Sequence, residues 1–238
     1  DEHAETTLIN ARIASNDDDV MLVTNSGRAI RFRATDVRVF NSRASVGVRG
    51  IKLGGKDTVV SMSVIQHFEA ESAERVAYLK QRRLMAGLTD DAEVDDDEDA
   101  VEAGQLSPER YADMSASENL ILTITANGAG KLSSSHDYPL RGRGGLGVAA
   151  MDKAMRGGEL VASFPVEIDD QVMLATSKGQ SIRVPVEGIS FRSRSAGGVK
   201  VFDTGKGEIV VSVARIADQG DEDVVDGDAE DVIEGGEE

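Results

Sequence analysis

The run Asp18-Asp19-Val20-Met21-Leu22-Val23-Thr24-Asn25-Ser26-Gly27-Arg28 returns later as Asp169-Asp170-Gln171-Val172-Met173-Leu174-Ala175-Thr176-Ser177-Lys178-Gly179-Gln180. A further version, Asn119-Leu120-Ile121-Leu122-Thr123-Ile124-Thr125-Ala126-Asn127-Gly128, stands between them. An internal repeat outranks every other clue to a fold. Each run is apolar, rich in β-formers and ends at a glycine, which reads as strand, tight turn, strand. Beyond the turn each copy carries a basic residue: Arg31, Lys131 or Arg183.

A second corner of glycine and arginine follows in each copy. It is Arg43-Ala44-Ser45-Val46-Gly47-Val48, then Arg143-Gly144-Gly145-Leu146-Gly147-Val148, then Arg194-Ser195-Ala196-Gly197-Gly198-Val199. Each copy closes on an apolar strand, at 58–64, 159–166 and 208–216. Four strand-like runs and a spacing of 51 residues from Gly128 to Gly179 suit a four-stranded blade of a propeller. The expected fold is all-β: about three antiparallel blades of a β-pinwheel or propeller, with a partly helical insertion and disordered acidic segments.

The expected organisation is 1–67 for the end of a preceding blade plus the first complete blade, and 68–116 for the insertion. Residues 117–167 form the second blade, 168–216 the third, and 217–238 an acidic tail. Within 1–67, Thr7-Leu8-Ile9-Asn10-Ala11-Arg12-Ile13 reads as the closing strand of a preceding unit. Three blades do not close a ring, so the chain reads as the C-terminal part of a larger propeller. In the insertion, the apolar spacing over 71–86 predicts a helix. Ser107-Pro108-Glu109 predicts a capped start to a second short one.

The net charge of −17 argues against a polyanionic partner until its distribution is followed. Residues 217–238 hold 11 acidic side chains and 89–103 hold nine, with no Lys or Arg in either stretch. Such like-charged blocks do not pack. The remainder carries three more basic than acidic side chains. A recurring cation on stacked blades becomes an arc of charge along a curved edge. Such an arc suits a chain of phosphates contacted without base reading. The positions expected to touch them are Arg31, Arg33, Arg38, Arg43, Arg49 and Lys52 in the first copy, Lys131, Arg141 and Arg143 in the second. Lys178, Arg183, Arg192, Arg194 and Lys200 complete the set in the third. The competing reading, ordinary solvated strand residues, stands beside this one on spacing alone.

Other chemistries find little support. There is no cysteine, and the three histidines lie far apart, so no metal centre or cofactor is expected. Ser135-His136-Asp137 are consecutive, whereas a catalytic triad is assembled in space; they read as a polar loop. The glycines of 142–147 follow no strand-to-helix turn, so they do not mark a nucleotide site; they read as a strand corner. Aromatics at 4% and no tryptophan disfavour base stacking on single strands. No apolar run is long enough to span a bilayer, and the expected place is the cytoplasm.

Arg31-Phe32-Arg33 with Val37-Arg38, Gly47-Val48-Arg49-Gly50-Ile51-Lys52-Leu53, Thr123 to Lys131 with Tyr138-Pro139, and Asp170 to Arg183 with Gly198-Val199 resemble successive late blades of one family. It is the C-terminal domain of bacterial DNA gyrase A. The resemblance implies a six-bladed β-pinwheel whose blades exchange strands and whose basic rim bends duplex DNA. It implies a binding module rather than an enzyme, within a type IIA topoisomerase, an isomerase that uses ATP to introduce negative supercoils. The implied partners are double-stranded DNA, the rest of gyrase A and, through it, gyrase B, with no membrane and no small-molecule substrate. The family's basic heptad Gln-Arg-Arg-Gly-Gly-Lys-Gly is absent; Arg141-Gly142-Arg143-Gly144-Gly145-Leu146-Gly147 echoes it. The competing assignments are the equivalent C-terminal domain of topoisomerase IV and a propeller that binds an acidic protein.

Overall fold

The computed structural model describes residues 7–42, 44–87, 104–152 and 157–218. The first repeat forms β1 (Asp18–Thr24), β2 (Arg28–Arg33) and β3 (Val59–Gln66). Helices α1 (Ser72–Met85) and α2 (Pro108–Ala116) follow. The second repeat forms β4 (Leu120–Thr125), β5 (Ala129–Ser134), the short β6 (Val148–Ala149) and β7 (Leu160–Val166). The third forms β8 (Gln171–Thr176), β9 (Ser181–Pro185), the short β10 (Val199–Lys200) and β11 (Val210–Ile216).

Each hairpin turns on the same device. Gly27, Gly128 and Gly179 have φ of 85°, 76° and 84°, left-handed values that a side chain resists. In each turn the glycine N–H donates to the carbonyl of a threonine, Thr24, Thr125 or Thr176, at 3.0 Å. That threonine's Oγ1 accepts the N–H of Arg28, Ala129 or Gln180 at 3.1 to 3.2 Å.

The sheets run β3-β1-β2-β6, β10-β5-β4-β7 and β11-β8-β9. The fourth strand of the first blade thus comes from the second repeat, and that of the second blade from the third repeat. The third sheet has three strands. Strands β3, β7 and β11 pack side by side at the inner edge, which puts the exchanged β6 and β10 at the outer rim.

Alternation along the strands builds a core at each junction. Ile121 of β4 joins Met21, Val23, Ile65, Tyr138 and Met151 between the first and second blades. Leu122 and Ile124 of the same strand join Leu132, Val172, Leu174, Val186 and Val210 between the second and third. A strand with neighbours on both faces has no polar side, so β4 reads Leu-Ile-Leu-Thr-Ile-Thr.

The insertion lies between β3 and β4. Glu71 and Glu74 form a capping box at the start of α1, and Ser107 Oγ accepts the Arg110 N–H at 3.2 Å to start α2. Arg110 ties the helices together, its Nε donating to Glu74 Oε1 at 2.7 Å. Tyr78, fully buried, packs edge-on against His136 at 5.1 Å. Arg82 stacks on Phe191 of the third repeat at 3.9 Å. Ser135-His136-Asp137, expected as a polar loop, is a 3-10 turn following β5 whose serine and histidine are buried.

One expectation is corrected. Residues 7–15 carry no strand and are almost wholly exposed; their side chains gain one hydrogen bond to the inner edge, from Asn10 Nδ2 to the Met62 carbonyl at 3.3 Å. With no ladder partner beside them, apolar residues there do not form a strand. The acidic stretches 89–103 and 217–238, expected to be disordered, lie outside the described residues apart from Ala217 and Asp218.

Candidate nucleic-acid interface

Strand register decides which cations are equivalent. Met21 faces Arg31, Leu122 faces Leu132 and Met173 faces Arg183. Arg31 and Leu132 also occupy matching parallel bridges, to Leu140 and Phe191. Lys131 is therefore one residue out of step with Arg31 and Arg183, and matches Ile30 and Ile182. Because side chains alternate, this single step sends it to the other face. The expectation of one basic strand position shared by three copies is corrected. The leading aspartates shift likewise: Asp18 and Asp170 both take the N–H three residues earlier, of Ser15 and Glu167, at 2.6 Å.

Three of the expected phosphate contacts are buried. Arg31 is 5% exposed; its Nε donates to Asp19 Oδ2 at 2.7 Å and its Nη1 to the Ser135 carbonyl of the second repeat at 2.9 Å. Burial lowers its pKa from the ordinary arginine value, with the Asp19 carboxylate opposing the fall. Lys131 is fully buried and its Nζ donates to the carbonyls of Ser193, Arg194 and Ala196 in the third repeat. Arg194, 4% exposed, reaches back to the second repeat, donating to the carbonyls of Asp137 and Ala149. These heads point into blade junctions. Their charge is spent on carbonyls and on Asp19, and they present none of it at the rim.

Arg143 is intermediate: half-buried, it donates to the carbonyls of Asp36 and Arg49 across the first junction, as Arg194 does across the second. Arg33, also half-buried, shares a hydrogen bond with His67 Nε2 at 2.9 Å and donates to the Asn16 carbonyl. Arg43 lies outside the described residues.

The remaining expected positions are exposed: Arg38, Arg49, Lys52, Arg141, Lys178, Arg183, Arg192 and Lys200. Arg141 and Arg192 are equivalent, their backbone N–H groups donating at 2.8 Å to the carbonyls of Arg31 and Leu132. Both sit on the segments that run up to β6 and β10, along the outer rim. Arg49 and Lys200 each follow the corner valine of their repeat, Val48 and Val199, and so share the next rim position. Lys200 is paired with Asp203 at 3.0 Å and Lys178 donates to the Lys206 carbonyl at 2.7 Å; both head groups are accessible.

The exposed basic set extends beyond the expected one. Arg28, Lys52 and Lys56 line an open hollow of about 470 Å³ at the turn end of the first blade, beside Asp57 and Glu159. Lys56 has no counterpart in the other copies, so repetition gave no signal for it. The glycines of 142–147 act structurally: Gly144 and Gly147 have φ of 83° and 71°. A Cβ on Gly147 would lie 2.3 Å from the Ala29 carbonyl oxygen, so glycine is what lets the exchanged strand reach β2. Among the described residues no cluster of three or more His, Asp or Glu could hold a metal ion, and no helix is long and apolar enough to cross a membrane.

The model of a family described as "DNA gyrase C-terminal domain, beta-propeller" matches residues 18–66, 119–166 and 170–217, the three repeats without the helical insertion. The DNA gyrase A protein of Granulibacter bethesdensis is 46% identical over 218 residues, covering 87% of this chain and 23% of that protein. The gyrase A protein of Rickettsia bellii is 38% identical over 229 residues, covering 95% of this chain and 25% of its own length. The chain thus spans about a quarter of the length of these relatives. Among solved structures, the C-terminal domain of DNA topoisomerase IV superposes with a TM-score of 0.58 at 20% identity, covering 85% of this chain and 47% of that one; at that identity it speaks for the fold alone.

Proposed function

The chain belongs to the DNA gyrase C-terminal domain family, and on that premise we propose that it binds and bends duplex DNA along the outer rim of its blades, as part of the wrapping module of a gyrase A protein. The observation that carries this reading is the division of the cations. Those turned into the junctions are consumed by carbonyls, while Arg141 with Arg192, and Arg49 with Lys200, recur at matching exposed places. Repetition on a curved edge offers phosphates a track, and arginine's planar fork suits them. The contacts are to backbone rather than bases, because a track of repeated exposed cations neutralises phosphates without reading base edges.

In this reading the chain is a non-catalytic part of a larger topoisomerase that works in the cytoplasm. The rest of gyrase A, and through it gyrase B, supply DNA cleavage and ATP-driven supercoiling. The relatives at 46% and 38% identity favour gyrase over topoisomerase IV. The test is a titration of two unrelated duplexes of equal length at rising salt. Equal affinities that fall steeply with salt are expected. Binding that is absent, or that ignores salt, would overturn the proposal.

A further inference from the structure

Helix α1 is basic for most of its length. From Arg75 to its end at Met85 it carries Arg75, Lys80, Arg82 and Arg83 and no acidic side chain. The repeats do not account for these cations, because the insertion lies outside the residues that the family model matches.

The helix crosses from the rim segment of one blade to that of the next. Near its start, Arg75 lines a hollow of about 170 Å³ together with Arg31 and Leu140. Two turns later, about 10 Å along the axis, Arg82 stacks on Phe191 at 3.9 Å. Leu140 and Phe191 are equivalent, forming parallel bridges to Arg31 and Leu132. Each stands directly before a rim arginine, Arg141 or Arg192. Between the two ends Tyr78 rests on His136 at 5.1 Å. Helix α1 therefore spans the interval between the rim arginines of successive blades.

Its orientation is set by α2. Arg110 donates to Glu74 at 2.7 Å, and Tyr111 packs on Tyr78 at 5.0 Å. At about 100° per residue, Arg83 stands on the side of the helix opposite Glu74. Lys80, three residues before Arg83, shares that side. Lys80 is exposed and Arg83 partly so. The carboxylates close to the helix are already engaged, Glu74 by Arg110 and Glu118 by Arg82. Neither Lys80 nor Arg83 has an ion-pair partner among the described residues. Arg82, held between Phe191 and Glu118, positions the helix rather than presenting charge.

We propose that the side of α1 bearing Lys80 and Arg83 is a further phosphate-binding surface, which holds the backbone of duplex DNA between the rim contacts at Arg141 and Arg192. This rests on the rim-binding reading and adds to it a contact from outside the repeats. The occupant is duplex DNA because the surface continues the line of the two rim arginines and its charged groups are all cations. Contacts of this kind neutralise phosphates and carry no base preference.

The chain has no cysteine, so Lys80→Cys, Arg192→Cys and Ala112→Cys each create a unique site for a photoreactive cross-linker. Ala112 is exposed on α2. Duplex DNA is expected to be captured from positions 80 and 192 and not from 112. In the same chain, Lys80→Gln with Arg83→Gln is expected to lower the slope of log affinity against log salt by about 1.8, the counterions of two phosphates, in a protein that remains folded. Capture from 192 without capture from 80, or an unaltered slope in the double variant, would overturn this inference and leave the rim reading standing. An unaltered chain that does not bind duplex DNA at all would overturn both.

Discussion

The two blade junctions share one architecture and close it with different chemistry. At the first, Arg31 bridges Asp19 of its own blade to the Ser135 carbonyl of the next, and His67 Nδ1 lies 2.9 Å from Asp19 Oδ1. At the second, Lys131 on the opposite strand face sends its ammonium into the carbonyls of Ser193, Arg194 and Ala196, with no carboxylate in that set. The strand-exchange geometry therefore demands a donor at the junction but fixes neither its residue type nor its face. A cation that recurs in sequence can be a tie between blades.

The largest effect is expected at the second junction. Lys131→Met leaves three buried backbone acceptors without their donor, and those acceptors cannot be mutated away. A loss of about 3 to 5 kcal/mol in a denaturant titration is expected. Arg31→Met is expected to cost less, about 2 kcal/mol, because Asp19 keeps His67 and the nearby Arg33. The first junction should also be repairable: Asp19→Asn added to Arg31→Met recovers most of that loss by removing the stranded charge. A double variant no better than the single one would break the contrast.

The turn threonines test what the blades have in common and where they part. Thr125→Val removes an acceptor for a turn N–H and is expected to cost about 1 kcal/mol, whereas Thr176→Val is expected to cost more, because Thr176 Oγ1 also donates to the buried Glu208 carboxylate.

The smallest effect is a pH dependence under the insertion. His136 is packed between Phe68 and Tyr78, and its Nε2–H donates to the Met114 carbonyl at 2.8 Å. Burial lowers its pKa below 6.5, against the pull of that carbonyl and of Glu118, with Arg31 and Arg75 adding to the fall. The folded protein thus binds the proton less well than the unfolded chain. This contribution to stability is complete above pH 6.5 and is lost as pH falls from there towards the folded value. The melting temperature is expected to drop across that window, and the drop should shrink in His136→Gln. Tyr78 beside it, pushed up to about 12 mainly by burial, stays neutral throughout.

The blades were legible because the turn is written three times. A threonine, two residues and a glycine recur in every copy, between strands whose apolar content matches burial on both faces. Helix α1 announced itself by apolar spacing and α2 by Ser107-Pro108. The allocation of cations was not legible. Repeated Arg and Lys look alike whether they face solvent or a neighbouring blade; counting from the turn glycine places Lys131 three residues on where Arg31 and Arg183 lie four on, but the count does not say which face is buried. The short exchanged strands were equally silent, since β6 and β10 have two residues each and no pattern of their own. Residues 7–13 show the reverse error, an apolar alternation with no neighbour to make it a strand.

The division between junction and rim cations is tested most directly by the slope of log affinity for duplex DNA against log salt. Replacing Arg141 and Arg192 together by glutamine is expected to reduce that slope by about 1.8, the release of counterions from two phosphates, in a protein that remains folded. An unaltered slope in that variant would contradict the account.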